Sequence, residues 1–531
     1  MLVLQYRTGI YQSELSHHPD ESAHVVTSLM IHDYVKTGIG TSPLRFAEDY
    51  YVHYPKVAFG IWPPLFHSTA ALWMLLFTRT QPSLLIFIAF QCALCASMLA
   101  VFSRRLLPPL AAFGLGLWMI LLPAFQNASS VIMVDIFLTI MEFLAMMLLV
   151  EFFRSGSMKD AIWFAICTSL AMLTKGNANA LVLCGVFMLL LTRQFAILTK
   201  PAIYVAALII VLVGGPWQVI TLRLFKDTIP LSQITLSRLW TMFAGYTEIL
   251  VLRLSLPVFL LALVGLAAEC VPMLLGRRKD SQTLECAGAA SLLLAVLAFH
   301  CIATNSNPDD RYILPALPFF LLFAAFGIRF IASIMPFRAL SFAARSAVLT
   351  VLTLGWFAKT TFVIPHRPQM GFQEFADLLL PSRVSDEAVL VCSDVWGEGA
   401  LITAFALGDR EHHEHIVLRG SKVLSENIWI TGGSYSPLFH SSAELEQYLE
   451  SVPVDAIVSD LSETIWPQDR EIVTQTLRAN PDKWTVVSEL PQGPESRHLQ
   501  LYRWTGPDHS HVRKNVSIRM RLMLGRDFLL K

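Results

Sequence analysis

The chain has 531 residues, of which 54% are hydrophobic and only 15% are charged, and its mean hydropathy is +0.54. This composition is typical of proteins that cross a membrane several times and excludes most soluble enzymes. The 40 basic residues balance 40 acidic ones, so no overall field attracts nucleic acid, which is excluded as a partner. The eight cysteines lie mostly in or beside apolar runs and predict neither a disulfide framework nor a zinc site.

Near the N-terminus, the stretch "SHHPDESAH" places an acidic pair, Asp20 and Glu21, at the start of an amphipathic helix that ends at Gly38. One interpretation is structural: Asp20 caps the helix and Glu21 complements its dipole. The other is a catalytic carboxylate, because the segment "HYPKVAFGIWPPLFH" (53–67) brings Lys56 and further histidines to the same side. Both interpretations stay open at this point.

Ten apolar runs predict membrane spans, since a spanning helix needs roughly 20 apolar residues. They lie near residues 83–102, 106–125, 134–153, 160–174, 178–192, 201–220, 248–268, 286–304, 313–334 and 344–364. The fourth and fifth runs are short. A further run, 62–77, contains two prolines and predicts a helix that lies at the membrane interface.

Basic residues in every second short connection predict which side of the membrane is cytoplasmic. They are Arg104, Arg105, Arg154, Lys159, Arg193, Lys200, Arg277, Arg278, Lys279, Arg338 and Arg345. The N-terminal acidic segment, the turn 174–179, the loop 221–247, the turn 305–312 and everything after about residue 365 then face the other side. We therefore expect a multi-pass protein of a bacterial inner membrane whose unusual polar groups share the extracytoplasmic face.

Two charged residues occur at the predicted outer ends of apolar helices. Asp135, in "MVDIF", is costly there unless it is paired or faces water, so it is either functional or an acid that reaches the interface. Lys175, in "LTKGNAN", lies on the outer side against the usual bias for lysine. It either binds an anion or belongs to a loop that breaks the rule.

The turn "NSNPDDRY" places Asp309, Asp310 and Arg311 at the outer mouth of a span. An exposed Asp–Arg pair is usually weak and incidental, so a surface ion pair and a functional cluster are both open.

After Pro365 the composition becomes that of a soluble α/β domain. The predicted strands are 388–394, 454–460, 484–490 and 498–504, and the predicted helices are 399–407, 442–452 and 469–480. The cluster "EHHEH" (411–415) predicts a solvated loop, because nothing nearby completes a zinc shell. The stretch "DVWGEGA" (394–400) lacks the third glycine of a dinucleotide fingerprint and is rejected as one.

Five motifs in order resemble the GT-C superfamily of membrane glycosyltransferases, above all its protein O-mannosyltransferases and lipid A aminoarabinose transferases. They are "PDESAH", "YPKVAFGIWPP", "MVDIF", "LTKGNA" and "DDRYILPALP", and they cover most of residues 13 to about 335. Together with the apolar runs and the C-terminal pattern, the resemblance predicts a helical polytopic membrane protein of about ten spans, similar to GT-C proteins, with a C-terminal extracytoplasmic α/β domain. Its expected parts are an acidic loop with interfacial helices (1–82), a membrane domain (83–364) and the α/β domain (365–531).

The resemblance also implies transfer of one sugar from a polyprenyl-phosphate carrier to an acceptor protein, lipid or glycan. Asp20 would be the base and acceptor positioner, with Glu21 and Asp135 as further catalytic carboxylates. Other residues match further roles: Lys175, Arg311 and Lys56 in binding the donor phosphate, and His24, Tyr54 and Asp310 in binding substrate. Displacement of a phosphate needs a base and cations but no covalent intermediate, which predicts an inverting reaction.

No cofactor is predicted. Asp20, Glu21 and His24 could contribute ligands to a divalent cation, but no second group at ligand spacing completes the site, so a metal is left open. Members of the family have a spanning helix before the acidic loop, whereas only about ten residues of modest hydrophobicity precede it here, about half of a span. We therefore expect the true start to lie upstream.

Two other functions compete with sugar transfer. A transporter or flippase for a lipid-linked sugar would use the same intramembrane charges, but such proteins usually show two related halves, which this chain lacks. A sensor with an outer binding domain would leave Asp20 and Asp135 without a role.

Overall fold

The computed structural model describes residues 1–225, 235–277, 282–303, 307–336, 339–381, 387–409, 415–427, 435–462, 467–490, 497–509, 516–518 and 527–529. The chain is mostly helical. The helices are α1 (Leu2–Arg7), α2 (Glu21–Asp33), α3 (Pro43–His53), α4 (Leu65–Leu76), α5 (Gln81–Ser103), α6 (Pro109–Leu121), α7 (Pro123–Ser129), α8 (Asp135–Ser155), α9 (Met158–Met172), α10 (Ala180–Thr192), α11 (Pro201–Val213), α12 (Gly215–Phe225), α13 (Leu236–Leu254), α14 (Leu256–Leu274), α15 (Thr283–Ala303), α16 (Leu317–Ile334), α17 (Phe342–Thr360), α18 (Phe372–Leu379), α19 (Val395–Gly408), α20 (Gly420–Val423), α21 (Ser442–Ser451) and α22 (Pro467–Ala479).

Short 3-10 helices cover Ile10–Gln12, Gly176–Asn179, Phe195–Thr199 and Asp310–Ala316, and a π-helical turn covers Tyr34–Gly38. The strands are β1 (Glu387–Cys392), β2 (His415–Arg419), β3 (Ser425–Asn427), β4 (Tyr435–Pro437), β5 (Ala456–Asp460), β6 (Trp484–Leu490), β7 (Leu499–Trp504), β8 (Ser517–Ile518) and β9 (Phe528–Leu529).

Five helical segments of the described chain are long and apolar enough to cross a membrane: α5, α8, α14, α15 and Asp310–Ile334. Two bent pairs, α6 with α7 at 62° and α11 with α12 at 40°, raise this number to seven if each pair is one span. The predicted ten spans are therefore not confirmed. These apolar helices make the chain an integral membrane protein.

The predicted run 248–268 is wrong as a single helix. It is interrupted at Ser255, whose φ of 72° breaks the helix, and Pro257 then stands in the first turn of α14. A proline is tolerated there because its missing N–H would have no partner in the first turn anyway. Hydropathy averaged over a stretch of sequence does not reveal such a break in the helix.

Helices α14 and α16 make the closest approach among the spans. A Cβ atom added to Gly265 would lie 1.9 Å from the carbonyl oxygen of Phe323, and one added to Gly327 would lie 2.0 Å from that of Leu261. Small residues at such crossings let two backbones pack in direct contact, which is a main source of helix association in lipid. Helix α16 directly follows the turn that carries Arg311, so its packing on α14 anchors one end of that turn.

Helix α8 carries polar groups at both ends. Asp135 occupies its first turn, and at its last turns Arg154 and Glu151 join Arg105 and Glu285 in an ion cluster, here called the basic end. The 21 residues of α8 span about 30 Å, which is the thickness of the hydrocarbon core of a bilayer. Three predicted basic residues, Arg278, Lys279 and Arg338, lie outside the described residues.

The run 62–77 forms α4, whose 12 residues are too few to span. It packs on α2 through a buried face that includes Phe66 and His67, while Leu72 and Leu76 are exposed. The acidic segment of the N-terminus is thereby held against the end of the membrane domain where Asp135 lies.

The C-terminal region contains a five-stranded sheet in the order β2-β1-β5-β7-β6. β1 pairs in parallel with β2 and β5, whereas β7 pairs antiparallel with β5 and β6. The four predicted strands correspond to β1, β5, β6 and β7, and the three predicted helices correspond to α19, α21 and α22. Strand β2 was not predicted.

The prediction of a solvated loop at 411–415 is wrong for His415, and residues 411–414 lie outside the described residues. His415 begins β2, is 1% exposed and places Nδ1 3.3 Å from Oδ2 of Asp409. Burial lowers the pKa of His415, but the hydrogen bond and charge of Asp409 outweigh it and raise the pKa above its usual value. His415 is buried because Asp409 pairs with it, but in the sequence a histidine among charged residues looks like part of a polar loop.

Candidate functional site

The first part of the site is a buried ion pair between α8 and the turn after α9. Lys175 Nζ donates to Asp135 Oδ1 at 2.6 Å, and the two side chains are only 10% and 3% exposed. Asp135 is fixed by the start of α8, and Lys175 directly precedes the 3-10 turn Gly176–Asn179. Pairing offsets the cost of burying both charges at the end of the spans.

The second part is an ion pair that connects the N-terminal acidic segment to the last turn before α16. Arg311 Nη1 donates to Asp20 Oδ2 at 2.8 Å, and Arg311 Nε lies 3.1 Å from Asp309 Oδ2. Burial raises the pKa of Asp20, but the charge and hydrogen bond of Arg311, with His18 and Lys175, lower it below its usual value. Asp20 is therefore an ionised carboxylate at neutral pH.

The ring of Tyr312 packs against both cations. Lys175 Nζ lies 5.1 Å and Arg311 Cζ 4.9 Å from its centroid. On the same ring, His300 stacks at 5.5 Å with an interplanar angle of 12°, and His300 Nε2 contacts Asn177 Nδ2 at 2.8 Å. Cation–π contacts of this kind hold the two positive groups apart at a fixed separation.

These elements enclose a cavity of about 260 Å³. It is lined by Asp20, His24, Ile61, Trp62, Lys175, Gly176, Asn177, Arg311 and Tyr312. The cavity therefore combines two cations, a carboxylate, a neutral imidazole and an indole. Such a set can hold an anion on one side and a hydrogen-bond donor on the other.

Glu21 does not line this cavity. Its side chain is fully buried, with Oε2 accepting from the N–H of His17 at 2.8 Å and Oε1 accepting from the N–H of Ile132 at 2.7 Å. Burial raises the pKa of Glu21 to about 7 against these hydrogen bonds and the charge of Arg367. The carboxyl group connects the acidic segment to the loop that leads into α8.

Lys56 and Tyr54 also lie outside the cavity and contact the C-terminal region. Lys56 Nζ donates to the carbonyl of Val395 at 3.3 Å, and burial lowers the pKa of Lys56 to about 7. The Tyr54 hydroxyl donates to Asp409 Oδ2 at 2.6 Å. These contacts pack residues 53–67, here called the proline-rich segment, against both ends of α19.

Asp310 points to α13, where Arg253 Nε lies 2.9 Å from its Oδ2. It is therefore separated from Arg311, although the two are neighbours in sequence. Its acidic neighbour Asp309 contacts Arg311 in its place.

The sequence prediction missed several residues around the cavity. They are Ile61, Trp62, His67, Asn177, His300 and Tyr312. Four of them fall inside the quoted motifs, namely Ile61 and Trp62 in "AFGIWPP", Asn177 in "LTKGNA" and Tyr312 in "DDRY". Trp62, Asn177 and Tyr312 are aromatic or polar, and that character inside a motif is the signal that could have identified them.

The described residues contain no group of three or more His, Cys, Asp or Glu side chains that could hold a metal ion. The two carboxylates nearest the cavity each have a cationic partner, Arg311 for Asp20 and Lys175 for Asp135.

No protein-family model matches the sequence, and neither does any curated protein. Solved structures do match. ArnT from Cupriavidus metallidurans, a lipid A aminoarabinose transferase, has a TM-score of 0.58 in the apo state and 0.53 bound to undecaprenyl phosphate. In both states it is 13% identical over 94% of this chain and 96% of its own.

A third structure, the oligosaccharyltransferase of Archaeoglobus fulgidus in complex with zinc and sulfate, has a TM-score of 0.51. It is 11% identical over 84% of this chain and 64% of its own. Both proteins are glycosyltransferases of the GT-C superfamily. At such low identity the likeness concerns the fold, and it extends over almost the whole of this chain. The protein therefore has the GT-C fold predicted from its five motifs.

Proposed function

We propose that this protein is an inverting glycosyltransferase that moves one sugar from a polyprenyl-phosphate carrier to an extracytoplasmic hydroxyl or amine. One observation carries the proposal: Lys175 and Arg311, each paired with a carboxylate and both packed on Tyr312, line one cavity at the end of the spans. The likeness to an ArnT structure bound to undecaprenyl phosphate supports the same class of donor.

Lys175 and Arg311 hold the phosphate of the carrier. The sugar-linked phosphate carries one negative charge and gains a second when the sugar leaves, so fixed cations stabilise the transition state more than the bound donor. The resting ion pairs with Asp135 and Asp20 keep both cations oriented before the donor arrives. The isoprenoid tail lies against the apolar helices, so its burial brings the reacting carbon to the cavity.

Asp20 acts on the acceptor. Its Oδ2 accepts from Arg311, whereas its Oδ1 has no hydrogen-bond partner in the described part of the chain. That free oxygen accepts the proton of the attacking group as the bond between the anomeric carbon and the phosphate oxygen breaks. No covalent sugar–enzyme intermediate is needed, which inverts the anomeric configuration.

The remaining predicted residues support the site from outside the cavity. Glu21 positions the loop before α8, Lys56 and Tyr54 attach the proline-rich segment to the C-terminal region, and Asp310 holds α13 through Arg253. We therefore assign these residues positioning roles. The resemblance had implied catalytic, phosphate-binding and substrate-binding roles for them.

We also propose that the basic end of α8 faces the cytoplasm and the cavity faces outward from a bacterial inner membrane. The basic end follows the bias of short cytoplasmic loops. The C-terminal sheet lies on the same side as the cavity, because the carbonyl of His415 in β2 lies 3.0 Å from Nδ1 of His53 in the N-terminal segment. We take residues 1–82, 83–364 and 365–531 as the three parts of this arrangement.

The purified protein in proteoliposomes tests the proposal, with radiolabelled undecaprenyl-phosphate mannose, galactose and aminoarabinose as donors and a membrane extract of the source cells as acceptor. Transfer by the wild type and a loss of about 10²–10⁴-fold in Asp20→Asn are expected for removal of a base. Glu151→Gln, at the exposed basic end, is the matched control and should transfer normally. Movement of labelled donor across the bilayer without product would replace the enzyme with a flippase.

A further inference from the structure

A second cavity, here called the C-terminal cavity, lies outside the site described above. It has a volume of about 130 Å³ and lies where β2 ends and α20 begins. Its lining includes Pro55, Arg419, Lys422, Phe439 and Tyr448. Ligands of open α/β sheets bind outside the carboxyl ends of parallel strands, and β2 is parallel to its neighbour β1.

One of the two cations that line the C-terminal cavity is fixed by a buried carboxylate. Arg419 Nε donates to Glu398 Oε2 at 3.0 Å, and Arg419 Nη1 donates to the carbonyl of Pro55 at 3.3 Å. Ser421 donates its backbone N–H and its hydroxyl to the same carboxylate, each at 2.7 Å. Glu398 is 0% exposed, so its charge depends on these donors and offsets the charge of Arg419.

The other cation, Lys422, has no hydrogen-bond or ion-pair partner in the part of the chain that the structure describes, although it is partly buried. Burial and the charge of Arg419 lower the pKa of Lys422 to about 8, against the opposite effect of Glu398. The ammonium group is therefore still protonated at neutral pH. Two cations and one carboxylate leave an excess of positive charge at the C-terminal cavity.

The size and the aromatic lining of the C-terminal cavity limit what can bind there. Its volume is below the roughly 300–1,000 Å³ of sites that enclose a whole drug-sized ligand, so it accommodates a small group of a ligand. The rings of Phe439 and Tyr448 pack with their centroids 5.3 Å apart and give the lining an apolar surface beside the cations. A small anion attached to a less polar body matches both parts of this lining.

We propose that the C-terminal cavity binds an oxyanion, the phosphate or carboxylate group of a saccharide or of a free small molecule, and that Lys422 is its main contact. Lys422 donates a charge-assisted hydrogen bond to the anion, and the aromatic rings contact the remainder of the ligand. No bond forms or breaks at this site, and the proposal goes beyond sugar transfer. Because Pro55 also lines the cavity, the ligand lies between the C-terminal region and the proline-rich segment.

Isothermal titration calorimetry of the full-length protein, in nanodiscs of zwitterionic lipid, tests the proposal with glucose, glucuronate, glucose 6-phosphate and inorganic phosphate at up to about 10 mM. The charged probes should bind and glucose should not. Glucose 6-phosphate that binds at least about tenfold more tightly than phosphate assigns the anion to a saccharide, whereas equal affinities assign it to a free ion. A wild type that binds none of the charged probes, or binds glucose as tightly as glucuronate, overturns the proposal.

Substitution of Lys422 locates the binding. Lys422→Met should weaken binding of the charged probes by about 10–100-fold, as loss of a hydrogen bond to a charged group does. It should unfold at the wild-type temperature, because it leaves no carboxylate without a partner. Lys483→Met is the matched control and should bind with the wild-type affinity, since Lys483 lies in the same region but is already paired with Glu446 and Glu450.

Arg311→Met separates this site from the cavity that Lys175 and Arg311 line, which also attracts anions. Binding that is weakened in Lys422→Met and kept in Arg311→Met supports the proposal, whether or not the purified protein transfers sugar. Unchanged binding in Lys422→Met overturns it. Absence of sugar transfer in a wild type that binds the charged probes in this way overturns only the proposed function.

Discussion

The two ends of α8 carry the same kinds of charge in very different settings. At the basic end, Arg105 and Glu151 pair at 3.0 Å while 44% and 36% exposed. At the cavity end, Lys175 and Asp135 pair at 2.6 Å while 10% and 3% exposed. Exposed pairs contribute little because water competes for both charges, whereas a buried pair depends on its partner for nearly all of its stabilisation.

This difference separates two uses of charge in a membrane protein. In the proposed orientation, the basic end needs only positive charge near the membrane surface, and the exposed pair of Arg105 and Glu151 is not needed to hold one cation at a fixed point. The cavity end needs a particular cation at a particular place, and the carboxylate that holds it there is part of the site. The comparison can be tested by replacing a basic residue with methionine at each end of α8.

The largest expected effect is on stability. Lys175→Met leaves Asp135 buried without its partner and should cost about 3–5 kcal/mol, whereas Arg105→Met should cost less than about 1 kcal/mol. Thermal unfolding in nanodiscs measures both. Adding Asp135→Asn to Lys175→Met should restore stability but not activity, and a double variant as unstable as the single one would contradict this account of the pair.

The next effect is on catalysis. Arg311→Met removes one of two cations from the leaving phosphate and should lower sugar transfer by about 10²–10³-fold, as loss of a single transition-state contact does in other enzymes. Arg154→Met, at the basic end, should transfer sugar at the wild-type rate. If Arg311→Met and Arg154→Met lost the same fraction of sugar transfer, both arginines would affect activity only by stabilising the folded protein.

The smallest effect concerns Lys56. Burial holds its pKa at about 7 in the folded chain, well below its ordinary value. The folded state therefore binds fewer protons than the unfolded state between pH 7 and 10.5, so this residue makes stability rise with pH over that window. Lys56→Met should flatten the rise in Tm while leaving the donor KM unchanged. A raised donor KM would return Lys56 to the phosphate site.

The extent to which the fold could be predicted differs between its parts. Long apolar runs identify α5 and α8 within two residues at each end, because twenty apolar residues have few other uses. The break at Ser255 and the bends within α6–α7 and α11–α12 depend on local backbone geometry and were not predictable from average hydropathy. The strand β2 was missed because its first residue is a buried histidine.

For the candidate site, motif order brought out Asp20, Lys175 and Arg311, which the structure places around one cavity. It did not separate them from their sequence neighbours. Glu21 and Asp310 follow or precede a cavity residue, yet helix geometry turns each toward a different partner. Which of two adjacent acids faces a cavity depends on the packing of distant segments, and the sequence of one chain does not reveal that packing.

The contact between Glu14 and the chain after the last span has a consequence for biosynthesis. Its carboxylate accepts from the backbone N–H groups of Met370 and Gly371 at 2.7 Å, across 356 residues of sequence in the first case. A segment that is synthesised early is thus completed by one that is synthesised late. The acidic loop reaches its final shape only after the C-terminal third has been synthesised, so an incompletely synthesised chain has no assembled site.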